Sequence, residues 1–103
     1  MPKVSVRLAE SAVADLGTIR DWYVEQGAPE VGERFVEETF ERIEALHDHP
    51  EIGRIAPEFG QPSLRELIYP PFRIVYRRDL RTIRIVRVWR SERLLALPDD
   101  EAP

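Results

Sequence analysis

From Phe72 to Arg90 the chain alternates apolar residues with arginine at a period of two, and that alternation commits its second half to a sheet. Phe72, Ile74 and Tyr76 alternate with Arg73, Val75 and Arg77. Arg78-Asp79-Leu80-Arg81 then turns the chain into Thr82 to Arg90, so the two runs are expected to form a hairpin. On the final run Ile83 and Ile85 share a face with Arg87 and Trp89, while Arg84, Val86, Val88 and Arg90 share the other. Both faces are mixed, so both are expected to be partly covered. Leu64 to Tyr69 reads as a shorter strand at the margin of the pairing, ended by Pro70 and Pro71, which have no N–H to give a ladder.

The first half has a different rhythm. Val4, Val6 and Leu8 alternate with Lys3, Ser5 and Arg7, a short strand with one buried face. Ser11 is the expected N-cap of a helix in which Ala12, Leu16, Ile19 and Tyr23 form one stripe, ending near Gly27. Pro29 suits the first position of a second helix, expected to run to about Asp48. There Val36, Phe40 and Ile43, with Phe35 and Leu46, are the expected core, and Glu33, Glu37, Glu41 and Glu44 form an acidic outer ridge. So short a connection makes the helices antiparallel. The stretch from Pro50 to Pro62 is dense in turn formers and reads as an ordered loop, with a positive φ expected at Gly53. Strand, helix, helix and three antiparallel strands give an α+β fold whose helical hairpin covers one face of the sheet.

At 103 residues and 43% hydrophobic content the chain is expected to be one domain, residues 1–98, with an acidic tail at 99–103. It has no cysteine, which removes disulfides, thiolate metal sites and thiol nucleophiles and points to a reducing cytoplasm. No segment approaches the ~20 apolar residues of a membrane span, so no membrane association is expected. His47 and His49 lack a third ligand in register, and the helical glutamates read as a solvated face, so neither a metal nor acid–base work is assigned to them. No Walker loop or GxGxxG occurs, and no cofactor is expected.

Charge carries more information. Between Arg54 and Arg93 ten arginines face only Glu58, Glu66, Asp79 and Glu92, while residues 1–53 hold twelve acids against Lys3 and four arginines. The net charge of −4 hides a basic sheet half set against an acidic helical half. Arg65, Arg73, Arg77, Arg87, Arg90 and Arg93 come from consecutive strands, so several are expected to cluster and to seek an acidic partner. Tyr76 and Trp89 would be stacking surfaces beside them, or core residues with satisfied polar atoms. Leu94, Leu95 and Leu97 read as a flap over the core or as part of a partner groove.

In these residues the chain resembles the RelE/ParE superfamily, the toxins of type II toxin–antitoxin modules. The pieces that match are the opening strand followed by SAVADLGTIRDWY, the loop HPEIGR, the arginine of LRELIYPPFRIVYR and the terminal strand TIRIVRVWRSER, together spanning residues 3 to 93. The resemblance implies a cognate antitoxin, ParD-like with a ribbon-helix-helix domain, whose C-terminal segment folds along the toxin. It also separates two branches. RelE-like members cleave messenger RNA on the ribosome; ParE-like members inhibit DNA gyrase. Arg90 stands where many members carry histidine, Ser91 where another basic residue is common, and LLALP follows without the tyrosine of the nuclease branch. An arginine is a poor proton acceptor, so the departures favour the ParE-like branch, with no catalytic residue of its own. A RelE-like, ribosome-dependent mRNA endonuclease is the alternative, followed by an inactive orphan member. Target contact is expected at Arg65, Arg73, Tyr76, Arg77, Arg87, Arg90 and Arg93. Antitoxin contact is expected at Arg73, Arg77, Leu94, Leu95 and Leu97, matching a segment that is acidic and amphipathic.

Overall fold

The computed structural model describes residues 4–90. The elements in chain order are β1 (Ser5–Leu8), α1 (Glu10–Glu25), α2 (Pro29–Ala45), β2 (Arg54–Ile55), β3 (Leu64–Tyr69), β4 (Phe72–Arg78) and β5 (Thr82–Arg90). The strands form a single sheet in the order β1-β5-β4-β3-β2. Neighbours are antiparallel except β1, which lies parallel to β5. The α+β class, the helical hairpin and the three-strand meander are as the periodicity predicts. β2, a two-residue strand, falls inside the stretch expected to be loop.

Helix boundaries follow local chemistry. The α1 N-cap is Ala9, in extended geometry, and not the expected Ser11. Ser11 lies inside the first turn, and its Oγ donates to the Val86 carbonyl at 2.6 Å, so tertiary contact outcompetes capping. At the other end Gly27 takes a φ of 76°, with Gly27 N–H bonded to the Val24 carbonyl and Ala28 N–H to that of Tyr23. That is a Schellman end, in which glycine meets no Cβ penalty. Pro29 opens α2, and the helix ends at Ala45, three residues short of the expected Asp48.

The core lies between the hairpin and one sheet face. Leu16, Phe35, Val36, Ile43 and Leu46 pack on Phe72, Ile74, Tyr76, Ile83, Ile85 and Val88. Phe40, expected inside, is 43% exposed. The buried seam of α2 runs through Gly32, Phe35, Val36, Thr39 and Ile43, and Phe40 sits one position round from it. Phe35 stacks on Tyr69 with ring centroids 5.3 Å apart, and the Tyr69 hydroxyl donates to Glu38, fixing α2 over the outer end of β3.

A bulge sets which face each β5 side chain takes. Arg87 pairs with Val75 and Ile85 with Tyr76, leaving Val86 over, so the alternation changes phase there. Ile83, Ile85 and Val88 therefore share the helix-covered face, whereas strict alternation had grouped Ile83 and Ile85 with Arg87 and Trp89. The second face carries Arg84, Arg87 and Trp89 with Arg73, Val75 and Arg77.

Candidate functional site

The expected arginine cluster is divided by the two faces of the sheet. Arg73 is 6% exposed, and diagonally across the β3–β4 pair from it, opposite Val75, stands Glu66, whose side chain is completely buried. Arg73 Nη1 donates to Glu66 Oε1 at 2.9 Å, and Arg54 Nε donates to Glu66 Oε2 at 2.6 Å. The other edge of the Arg73 guanidinium is bound by Glu58 from the 56–62 loop. These charge-assisted bonds pull the Glu58 carboxyl below its ordinary range and push Arg73 above its own, in each case chiefly through the hydrogen bond the two share. Two acids thus hold Arg73 inside the sheet, and the partner the sequence reading sought for it is internal.

Tyr76 is completely buried in the helix-side core. Its hydroxyl donates to the Pro50 carbonyl at 3.1 Å and accepts the Gly53 N–H at 3.0 Å. A Cβ at position 53 would collide with that hydroxyl, so Gly53 is required for close approach; its φ is not positive, contrary to expectation. Burial pushes the Tyr76 phenol up. Arg65 lies opposite Tyr76 and donates to the carbonyls of Pro62 and Gly53, at 3.1 Å each. Both residues pin the 50–62 loop. Arg90, opposite Phe72, has its guanidinium 5.7 Å from that ring. Arg93, Leu94, Leu95 and Leu97 lie outside the described residues.

Arg77 and Arg87 take the second face. The Arg87 guanidinium sits 3.8 Å from the Trp89 ring centroid and meets Asp15 of α1 through two bonds of 2.8 Å. Asp15 Oδ2 also accepts the Val88 N–H at 2.9 Å, where β5 has run past the end of β1. Between α1 and this strand edge is a groove of about 530 Å³, walled by Thr18, Ile19 and Trp22 on one side and Phe72, Val88 and Trp89 on the other. Trp22 is 46% exposed at its rim. Among the described residues no cluster of potential metal ligands occurs, and no helix is long and apolar enough to cross a membrane.

A β sheet carrying this helical hairpin and arginine face has counterparts among known proteins. Residues 6–95 match the family described as the ParE toxin of the type II toxin–antitoxin system parDE. The chain belongs to the ParE toxin family. Among solved structures it is similar to the chromosomal ParDE toxin–antitoxin system from P. aeruginosa, with a TM-score of 0.74 and 29% identity over 87% of this chain and 98% of that one. It shares its fold with the RelBE2 toxin–antitoxin complex from Mycobacterium tuberculosis, with a TM-score of 0.57 and 22% identity over 87% of this chain and 99% of that one. Among curated proteins no sequence matches.

Two groups on this ParE-type toxin escaped sequence reading. Asp15 drew no attention in the sequence, and only the position of α1 beside β5 reveals its double role. Arg7 and Arg84 each looked like solvent-facing strand residues. The register sets Arg7 opposite Arg84 and Arg84 opposite Arg77, a row of arginines across three adjacent strands. The alternation of β1 placed Arg7 on a face, but nothing in the sequence said which strand would lie beside it.

Proposed function

We propose that this ParE-type toxin arrests growth in the bacterial cytoplasm by binding DNA gyrase, and that a cognate ParD-like antitoxin neutralises it. The observation that carries the reading is the state of Arg73, the basic residue of the FRIVYR motif, which is enclosed by Glu58 and Glu66. A guanidinium stays protonated, and one engaged by two carboxylates is suited neither to accept a proton nor to meet a phosphate. The family match and the likeness to a ParDE system support the same branch.

The target surface is assigned to Arg77 and Arg87 on the second face, with Arg65, Arg90 and Arg93 at the margins. Arg73 and Tyr76 are assigned to its support. Antitoxin contact is assigned to Arg77, to Leu94, Leu95 and Leu97, and to the groove between α1 and β5. That groove combines an apolar wall with Arg87 and Arg90, which suits an acidic amphipathic segment that orders as it binds.

Purified toxin is expected to inhibit supercoiling by gyrase, or to trap cleaved DNA, and to leave messenger RNA in translating ribosomes intact. Codon-position cleavage of that RNA with gyrase unaffected would assign the toxin to the nuclease branch instead.

A further inference from the structure

A second groove, of about 240 Å³, runs between α1 and α2. Leu8, Leu16 and Val36 make its floor, and Val13, Gly17 and Phe40 its walls. Val13 is 56% exposed and Phe40 43%, so two apolar side chains stand uncovered at its opening. α1 turns Val13, Gly17 and Arg20 to this groove and Asp15, Thr18 and Trp22 to the groove beside β5, which are opposite sides of one helix. Gly17 is interior to α1, where glycine weakens a helix relative to alanine. A Cβ there would meet nothing within 4 Å, and its φ is not positive. Among the described residues, then, neither packing nor backbone calls for glycine at this position; what the missing side chain leaves is a hollow that faces outward. Acids stand round it. Glu37 and Glu44 lie three residues before and four after Phe40, on its ridge of α2, and Glu10 lies three before Val13; all are exposed. Arg20, the cation of the lining, is bound by Glu33 at 3.0 Å, and Glu44 has the His47 ring 3.6 Å away.

We propose that the groove between α1 and α2 receives a basic amphipathic helix of a partner protein. Charge selects the occupant. A second copy of this chain would bring one acidic rim against another, and an acidic segment of the kind assigned to the groove beside β5 would be repelled. Lysines or arginines flanking an apolar stripe meet Glu10, Glu37 and Glu44 instead. From Val13 to Arg20 α1 runs about 10 Å at ~1.5 Å per residue, so the groove holds about two turns of an incoming helix. Anchors spaced three and four residues apart rest on Leu16 and Val36 beside Phe40. Gly17 sets how near that helix can come, because the side chains at a helix crossing fix the distance between the axes. Since α1 separates the two grooves, this partner leaves the seat beside β5 open. The inference is independent of which target the toxin has.

Two synthetic amphipathic helices, one of leucine and lysine and one of leucine and glutamate, are the probes, titrated into the intact chain. The lysine helix is expected to shift the amide signals of Val13, Gly17, Arg20 and Phe40, and the glutamate helix to leave them in place. Gly17→Leu fills the hollow. It is expected to weaken binding of the lysine helix by about tenfold or more while leaving Tm unchanged or higher, because leucine is the better helix former. Glu37→Gln with Glu44→Gln is expected to weaken binding and to flatten its dependence on salt. Shifts centred on Trp22, Val88 and Trp89, an equal response to the two helices, or an unchanged affinity in Gly17→Leu overturns the proposal. So does a dimer of the parent chain in sedimentation that Gly17→Leu abolishes, which assigns the groove to a second copy.

Discussion

Asp15 and Val88, seventy-three positions apart in the chain, share a 2.9 Å hydrogen bond that closes the edge of the last strand. Beyond Ile85, β5 has outrun β1 and would expose unpaired backbone. α1 supplies what a neighbouring strand would have: Ala9 N–H bonds the Ile85 carbonyl, Ser11 Oγ the Val86 carbonyl and Asp15 the Val88 N–H. The edge is therefore occupied by the Ala9 main chain and the side chains of Ser11 and Asp15, which removes a template for pairing with other chains.

Asp15→Ala is expected to cost about 1–3 kcal/mol, since it strips the Val88 N–H of its acceptor and Arg87 of its carboxylate. Asp15→Asn, which keeps an acceptor but no charge, should fall between the variant and the parent. Urea midpoints give the order, and faster hydrogen exchange at the Val88 amide locates the loss.

Arg73→Ala is expected to destabilise the fold by roughly 3–5 kcal/mol, because it leaves the buried Glu66 carboxylate with Arg54 alone. Replacing both partners with apolar residues, Arg73→Met with Glu66→Leu, should recover most of that, as buried ion pairs contribute little over good packing. Urea midpoints check the energies. A growth assay on the double variant checks the role: retained toxicity is expected if Arg73 supports the face and touches no target.

Gly53→Ala and Tyr76→Phe should fail for linked reasons. The first drives a methyl group into the Tyr76 hydroxyl; the second leaves the Gly53 N–H and Pro50 carbonyl without their partner, at about 1–3 kcal/mol. In the double variant the hydroxyl contact is gone but the ring carbons Cε1 and Cζ still stand 2.7 and 2.8 Å from the added Cβ, so only part of the clash is relieved and the combined loss should fall modestly short of the sum of the two. A double-mutant cycle on thermal or urea unfolding measures the difference.

The bond to Arg73 holds the Glu58 carboxyl below its ordinary pKa, which gives stability a defined pH dependence. A depressed folded-state pKa stabilises in full above the unfolded value, and the contribution fades as pH falls through the folded one. Glu58→Gln is therefore expected to lower stability near neutral pH and to flatten the acid limb of the stability curve. Denaturation midpoints across that range test both signs.

What the sequence made legible was whatever rests on local period. The stripe Ala12, Leu16, Ile19 and the set Phe72, Ile74, Tyr76 join the core as their spacing predicts, because the helix and the strand fix side-chain direction residue by residue, although Arg73 and Val75 on the opposite face are buried as well. Phe40 was misplaced because Thr39 and Gly32, neither strongly apolar, belong to the buried seam and shift its centre. Partnerships across the chain were not legible. Strict alternation cannot reveal an extra residue at Val86, and that one bulge decides the faces of Arg87, Val88 and Trp89. Arg73 looked like an exposed strand arginine because its two carboxylates, Glu58 and Glu66, are brought to it by the hairpin and the 56–62 loop.

Because β5 lies between β1 and β4, the first strand made by the ribosome has no sheet neighbour until the last has emerged. The helical hairpin and the β3–β4 hairpin can each gather as they are synthesised, yet the surface they share closes only when Thr82 to Arg90 slides between β1 and β4. Pairings of such long sequence separation form late, after loop entropy has been overcome. The sheet of a nascent chain therefore stays open, with its apolar strands exposed to chaperones and proteases, until Thr82 to Arg90 has emerged and can take its place between β1 and β4.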